Sequence, residues 1–393
     1  MILQISYWIP GIFLAAVWFS RILEAAIGMP RIADVAQPEW DRKPPTSDGE
    51  PRVSIIVPAR NEEHDIRATL ESLLALDYSN YEVIAVNDRS TDATGQRMDE
   101  VVARTAARTC LGIIHVAELP PGWMGKTHAM WKAGNEATGD WLLFTDADVS
   151  FKPDSLRRVV AYAEAEKADH VVLFPRMLME HAGERMMIAF FQTMFVFGHR
   201  PWKVANPRAR DHMGVGAFNM VRRPVYDAVG TYQALRMEVL DDMKLGKLIK
   251  NAGYAQRNVF GEDLISLRWV RGTFGMIDNL TKNFFAVLSF QWPRTVASIF
   301  ALAFLNLGPF LGIWLANGWA RLPYAVALAS LFGIYYGMSR MSDVGPYYFF
   351  LHPVSTILVM YTVARSMVLT LRQGGVIWRG TKYPLEELRK GMV

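Results

Sequence analysis

The chain has a single cysteine, Cys110, among 393 residues. No disulfide can form within it, which excludes a small stapled scaffold and fits a reducing compartment. Charge is scarce: charged residues make up 20% of the chain against 51% hydrophobic, with a net charge of +4. No block of Lys and Arg of the kind that tracks phosphates appears, so nucleic acid is not an expected partner. The spacing of a Walker A loop is also missing, which argues against an ATPase. Charge is absent altogether from residues 1–20 and 295–320.

Those uncharged runs lie at the two ends. About 20 apolar residues cross the hydrocarbon core as a helix. The first charges, Arg21 and Glu24, come after the N-terminal run, and Arg31, Arg42 and Lys43 follow. A signal peptide carries its positive charge before the run, so the sequence predicts a retained anchor over 1–28. The positive-inside rule then puts the next domain in the cytosol. At the other end, 295–320, 322–339 and 344–364 are candidate spans, the last interrupted by His352 and Pro353. Three crossings from the cytosol would leave the tail outside. That tail carries Arg372, Arg379, Lys382, Arg389 and Lys390, which the same rule wants inside. One run is therefore expected to be re-entrant or interfacial, the Pro-broken last one first. The expected layout is an anchor at 1–28, a linker at 29–50, a catalytic domain at 51–283, an interfacial segment at 284–294, spans within 295–371 and a polar tail at 372–393. This describes a multi-pass protein of the cell membrane.

Between the ends, strand and helix signals alternate. Strands are expected at 53–57, 81–86, 112–116, 141–145 and 170–174, with helices at 63–76, 92–107 and 126–137. Such alternation implies a largely parallel sheet covered on both faces, an α/β fold. Ligands bind beyond the carboxyl ends of such strands. Polar clusters stand at three of those ends: Arg60-Asn61-Glu62-Glu63, Asn87-Asp88-Arg89-Ser90-Thr91-Asp92, and Asp146-Ala147-Asp148.

Each cluster suggests chemistry. Asp146 and Asp148 repel each other unless a hard cation sits between them, and Mg²⁺ or Mn²⁺ with diphosphate oxygens suits the site. Thr91 or Asp92 serves as a helix N-cap. Asp88 is not needed for capping and is placed to accept hydrogen bonds from a nucleobase or ribose. Lys126 ends the segment Pro121-Gly122-Trp123-Met124-Gly125-Lys126 just before a helix, where it could meet a phosphate. Asp241-Asp242 opens another helix. The helix dipole alone would favour two carboxylates there; the functional reading is a general base. Residues 186–198 are uncharged, rich in Met and Phe, and too short to span. They form either a core helix or a helix at the bilayer surface, where a lipid acceptor could enter.

In order along the chain, Val57-Pro58-Ala59-Arg60-Asn61-Glu62-Glu63, Asn87-Asp88-Arg89-Ser90-Thr91-Asp92, Asp146-Ala147-Asp148 and Leu240-Asp241-Asp242 resemble the motifs of glycosyltransferase family 2. The segment 121–126 resembles one found in the family's membrane branch, which glycosylates hopanoid, carotenoid and similar lipids. Residues 214–223 resemble the family's acceptor-side strand and turn. The resemblance implies a GT-A fold, a nucleotide-sugar donor such as a UDP-sugar, inversion at the sugar carbon and a lipid-like acceptor. It also implies that Pro58, Arg60, Glu62 and Asp88 hold the nucleoside, with Lys126 a further donor contact. Asp146 and Asp148 would hold diphosphate and metal, and Asp242, supported by Asp241, would be the base. Processive synthases of the family carry Gln or Arg at the first position of a motif that here reads Ile265-Ser266-Leu267-Arg268-Trp269, which weighs against a polymer product. A non-catalytic scaffold would lack one of Asp88, Asp146, Asp148 and Asp242, and all four are present.

Overall fold

The computed structural model describes residues 2–44, 49–104, 110–269 and 271–393. They group into two compact units. A sheet unit comprises Ile32–Leu178, Lys203–Trp269 and Trp378–Val393; a helical unit comprises Met1–Arg31, Met179–Trp202 and Val270–Ile377.

The sheet unit carries strands β1 (Val53–Ala59), β2 (Tyr81–Asp88), β3 (Leu111–Val116), β4 (Trp141–Phe144), β5 (Val149–Phe151), β6 (His170–Leu173), β7 (Arg176–Met177), β8 (Asn219–Arg222), β9 (Gln256–Val259) and β10 (Ile265–Leu267). Seven of them form one sheet in the order β3-β2-β1-β4-β8-β6-β9, and three form a small sheet, β5-β10-β7. Ile55 of β1 lies opposite Val83 of β2 and Leu143 of β4, parallel on both sides. β8 runs antiparallel to both β4 and β6, so the sheet is mixed and mostly parallel.

All seven residues of β1 are buried, the pattern of a strand covered on both faces. Because side chains alternate, Val53, Ile55 and Val57 face one core with Leu70, Leu73 and Val159, while Ile56 faces another with Met130, Phe144, Tyr226 and Leu245. Burying each such Val, Ile or Leu contributes roughly 1.5–3 kcal/mol. The helices Ile66–Leu74 and Ser155–Ala165 cover the first face, and Gly125–Glu136 and Asp241–Asn251 the second.

The connection order sets the position of the site. From β1 the chain moves to β2 and β3 on one side, then crosses to β4 on the other. The strand order reverses between β1 and β4, the position at which open α/β sheets bind ligands beyond the carboxyl edge. The expected strands are all present. The helix expected over 63–76 begins only at Ile66, because Glu62 and Glu63 serve the preceding loop. The helix expected over 92–107 runs from Thr94 to Arg104, and its expected residues 105–107 lie outside the described residues.

The helical unit contains Ile2–Gly28, Ala182–His199, Gly272–Val287, Trp292–Leu302 continuing through Gly308–Leu315, Leu322–Met338 and His352–Gln373. By length and composition, three segments among the described residues are able to cross a membrane: Tyr7–Arg31, Trp292–Leu315 and Pro346–Gln373. Leu322–Met338 has 17 residues, about 26 Å of helix against a core of about 30 Å. In the last run a 3₁₀ turn, Pro346–Leu351, gives way at His352 to the α-helix His352–Gln373, and Pro353 falls in its first turn, where no amide partner is lost. Large apolar side chains such as Ile12, Phe19, Phe300, Leu311, Ile357 and Leu371 are exposed on these helices, a surface a water-facing protein seldom shows. A π-helical turn, Ala303–Leu307, precedes Pro309, which cannot donate an amide hydrogen to the ladder.

Candidate active site

The loops after β1 and β2 are built against each other by side chains. Asn61 and Arg89 both have φ near +55° (55° and 54°), turning the chain sharply at the strand ends. The Asn61 side chain accepts the Thr91 amide at 2.8 Å, and the Ser90 hydroxyl accepts the Asn61 amide at 3.1 Å. The Thr94 hydroxyl accepts the Glu62 amide at 2.7 Å, and the Asp92 carboxylate accepts the amides of Glu63 at 3.2 Å and Thr94 at 3.0 Å. Asn61, Ser90, Thr91, Asp92 and Thr94 are thus occupied in shaping the loops. Pro58 lies within β1, two residues past Ile56, the last β1 residue paired with β4, so its missing amide breaks no ladder bond with β4.

Asp88 is buried at the end of β2. The Arg89 guanidinium grips its carboxylate with two bonds of 2.8 and 3.0 Å, and Arg60 lies 3.8 Å from it. Asp88 in turn holds the Arg89 charge more firmly than usual. Asp88, expected to accept hydrogen bonds from a nucleobase or ribose, is engaged by arginine in this structure. Arg60 instead has two buried nitrogens, Nε and Nη1, with no hydrogen-bond partner. Such unmet donors suit an incoming anion or carbonyl.

Asp146 stands after β4. Its amide donates to the Gly216 carbonyl at 3.0 Å, and the neighbouring Thr145 hydroxyl donates to the Ala217 carbonyl at 2.8 Å. Lys126 reaches it from the start of its helix, with Nζ 2.7 Å from Asp146 and 3.8 Å from Asp241. Burial acts against the Lys126 charge, but Asp146 and Asp241 more than offset it and keep the ammonium above its ordinary range. Burial pushes Asp241 up to about 7, against the pull of Lys126, and raises Asp242 too. The Asp242 carboxylate accepts the amides of Met243, at 2.7 Å, and Gly216. The Tyr232 hydroxyl donates to Asp241 at 3.5 Å.

Two glycines make this closeness possible. A Cβ on Gly216 would collide with the Asp146 carboxylate, and one on Gly125 would collide with the Asp88 carboxylate. Gly125 and Lys126 therefore connect Asp88 to Asp146. Burial also raises Asp148, and the charges of Asp146 and Glu62 add to it. Lys126, Asp146, Asp241 and Asp242 thus form one cluster, with Asp148 and Glu62 beside Asp146 and Asp88 across Gly125.

Among the described residues, no three His, Cys, Asp or Glu side chains are grouped so as to hold a metal ion alone. Asp146 and Asp148 nevertheless fit a divalent ion, since Mg²⁺ and Mn²⁺ are commonly held by one or two carboxylates with substrate phosphates completing the shell. Burial and the neighbouring carboxylates Asp146 and Glu62 raise Asp148, a shift that a bound cation would oppose.

Several participants were not singled out from the sequence. Gly216 lay within the strand and turn over 214–223 but carried no separate signal. Behind the acidic pair, the buried His170 ring receives the Gln256 amide at Nδ1, 2.7 Å away, and meets the Asn219 carbonyl through Nε2. Asn219 then donates to the Asp242 carbonyl at 3.4 Å. Burial lowers His170 to about 4, so the ring is neutral. Arg268, already noted in the sequence within Ile265-Ser266-Leu267-Arg268-Trp269, follows Leu267, which pairs with Val149. From the far end of the chain, Arg379 donates to the Glu62 carboxylate and Tyr383 accepts the Gly125 amide at 3.1 Å. No local pattern in the sequence links those positions to the cleft.

Residues 54–243 match the family described as Glycosyl transferase family 2. The chain is 22% identical over 341 residues to a 4,4'-diaponeurosporenoate glycosyltransferase of Staphylococcus aureus strain MRSA252, covering 85% of this chain and 89% of that one. The counterpart from the bovine strain RF122 / ET3-1 is also 22% identical, over 379 residues, covering 94% and 99%. Among solved structures, a mannosyltransferase from Pyrobaculum calidifontis in complex with GDP-Man and Mn²⁺ superposes with a TM-score of 0.56 at 20% identity, covering 93% of this chain and 99% of that one.

Proposed function

The chain belongs to glycosyltransferase family 2 and has a GT-A fold, and from this premise we propose that it transfers one sugar from a nucleotide-sugar donor to a lipid or isoprenoid-type acceptor at the cytosolic face of a membrane. The observation that carries the reading is the convergence of Lys126, Asp146, Asp241 and Asp242 at one strand edge, with 2.7 and 3.8 Å separating the ammonium from two carboxylates. The related S. aureus enzyme is named for an isoprenoid acceptor, which supports the acceptor class. The exposed apolar helices support a membrane location.

The reaction is an in-line displacement. Arg60, Glu62 and Asp88 line the nucleoside end, Asp88 acting through Arg89 or after releasing it. Asp146 and Asp148 would hold Mg²⁺ or Mn²⁺, which neutralises charge on the departing nucleoside diphosphate. Lys126 adds a fixed positive charge where that negative charge develops. Asp242 accepts the proton of the attacking hydroxyl. A free Asp has a pKa near 4, far below an alcohol, so this transfer is late and concerted. Burial raises Asp242 and makes it a better base than an exposed carboxylate.

Since the base must be ionised, activity rises with pH. We expect the acidic limb of kcat/KM well above the ordinary carboxylate range, as a property of the Asp241–Asp242 pair. A pH–rate profile with its limb near 4 would contradict this.

The tail supports one topology. Residues 378–393 belong to the same compact unit as the sheet, so tail and sheet share a side of the membrane. The chain between them then crosses an even number of times, and the short Leu322–Met338 is the run that does not cross fully. This also returns the basic tail to the cytosol.

The function is tested by mass spectrometry of lipids from cells with and without the protein. A lipid gaining the mass of one sugar supports the reading. A polymer product would favour a processive synthase, and no change in any lipid would rule out the proposed acceptor class.

A further inference from the structure

Residues 378–393 are packed into the sheet unit rather than trailing from it. Tyr383 and Leu388 are buried, and the Val393 amide bonds to Glu238. Arg379 has φ +47° and Gly380 φ +79°, a left-handed pair forming a tight turn. A non-glycine residue in that region is uncommon and points to a position held by its contacts.

Those contacts converge on the cleft. The Arg379 guanidinium donates to the carbonyls of Arg60 and Asn61 and to the Glu62 carboxylate. It therefore grips three consecutive residues of the loop after β1. Burial raises Glu62, and Arg379 opposes that rise. Four residues on, the Tyr383 hydroxyl accepts the Gly125 amide at 3.1 Å and hydrogen-bonds Arg89, whose guanidinium grips Asp88. The loop after β1, the loop after β2 and the turn before Lys126 are thus fastened to one short segment more than 250 residues away in sequence (|i−j| = 258 for Gly125–Tyr383).

We propose that Arg379 and Tyr383 are positioning residues for the nucleotide-sugar donor. They fix the three donor loops as one wall, setting Glu62 and Arg60 through Arg379 and Asp88 and Lys126 through Tyr383. The proposal rests on the reading of this cleft as the donor site.

The test uses the full chain in detergent, titrated calorimetrically with UDP, GDP, ADP and CDP, each with Mn²⁺, and assayed for transfer. Arg379→Ala and Tyr383→Phe are expected to weaken the nucleotide that binds by about tenfold or more, the scale of a lost charge-assisted or buried hydrogen bond. Donor KM rises by a similar factor, while kcat and acceptor KM stay within about twofold. Arg379→Lys recovers part of the affinity, and Lys382→Ala, an exposed neighbour, behaves as wild type. Tyr383→Phe keeps the ring and removes only the hydroxyl, so it separates donor positioning from loss of folding. Unchanged nucleotide affinity in both variants overturns the proposal. So does a fall in kcat with donor KM unmoved, which would mark a purely structural role. If the wild type binds none of the four nucleotides, the donor-site reading itself fails, and the proposal with it.

Discussion

Asp242→Asn is expected to lower transfer by about 10³-fold, within the range for loss of a general base, while nucleotide affinity changes little. The asparagine oxygen can still accept the Met243 amide that Asp242 holds at 2.7 Å, so the helix start should keep its shape. What disappears is the charge that takes the proton. Asp241 is a poor substitute, because it carries the 3.8 Å ion pair with Lys126 and the bond from Tyr232. Single-turnover kinetics with saturating donor would separate the chemical step from binding. Near-normal turnover would remove Asp242 from the role.

Chelation is the second large effect. EDTA is expected to reduce transfer by more than about 100-fold, with Mn²⁺ or Mg²⁺ restoring it, because the developing diphosphate charge loses its main counter-charge. Asp148 sits above the usual carboxylate range through burial and through Asp146 and Glu62, and a bound divalent ion would oppose that rise. Lys126 lies between Asp146 and Asp241. If EDTA leaves turnover unchanged, Lys126 alone carries that charge and the metal assignment to Asp146 and Asp148 falls.

The parallel half of the fold was legible because its physics is local. Val53–Ala59 and Tyr81–Asp88 are nearly continuous apolar runs ending in polar clusters, and such runs are buried strands. β5, β7 and β10 have two or three residues each, too few for any period to show. The acidic residues of the cleft were visible as motifs, but their surroundings were not. Arg89 precedes a run of loop-building residues and gave no sign that it would occupy Asp88. Lys126 read as a phosphate contact, and no pattern in the sequence signalled its bonds to Asp146 and Asp241. Arg379 and Tyr383 could not be found from the sequence, since their partners are more than 250 positions away (|i−j| = 258 and 317).

The glycine at 216 has a wider consequence. Its amide, its carbonyl and its bare α-carbon each meet a different part of the acidic cluster. The spacing of the carboxylates is therefore written into main-chain atoms, which no side-chain exchange can retune. Any redesign of the cluster should leave this floor alone, since even a methyl group on Gly216 would meet the Asp146 carboxylate.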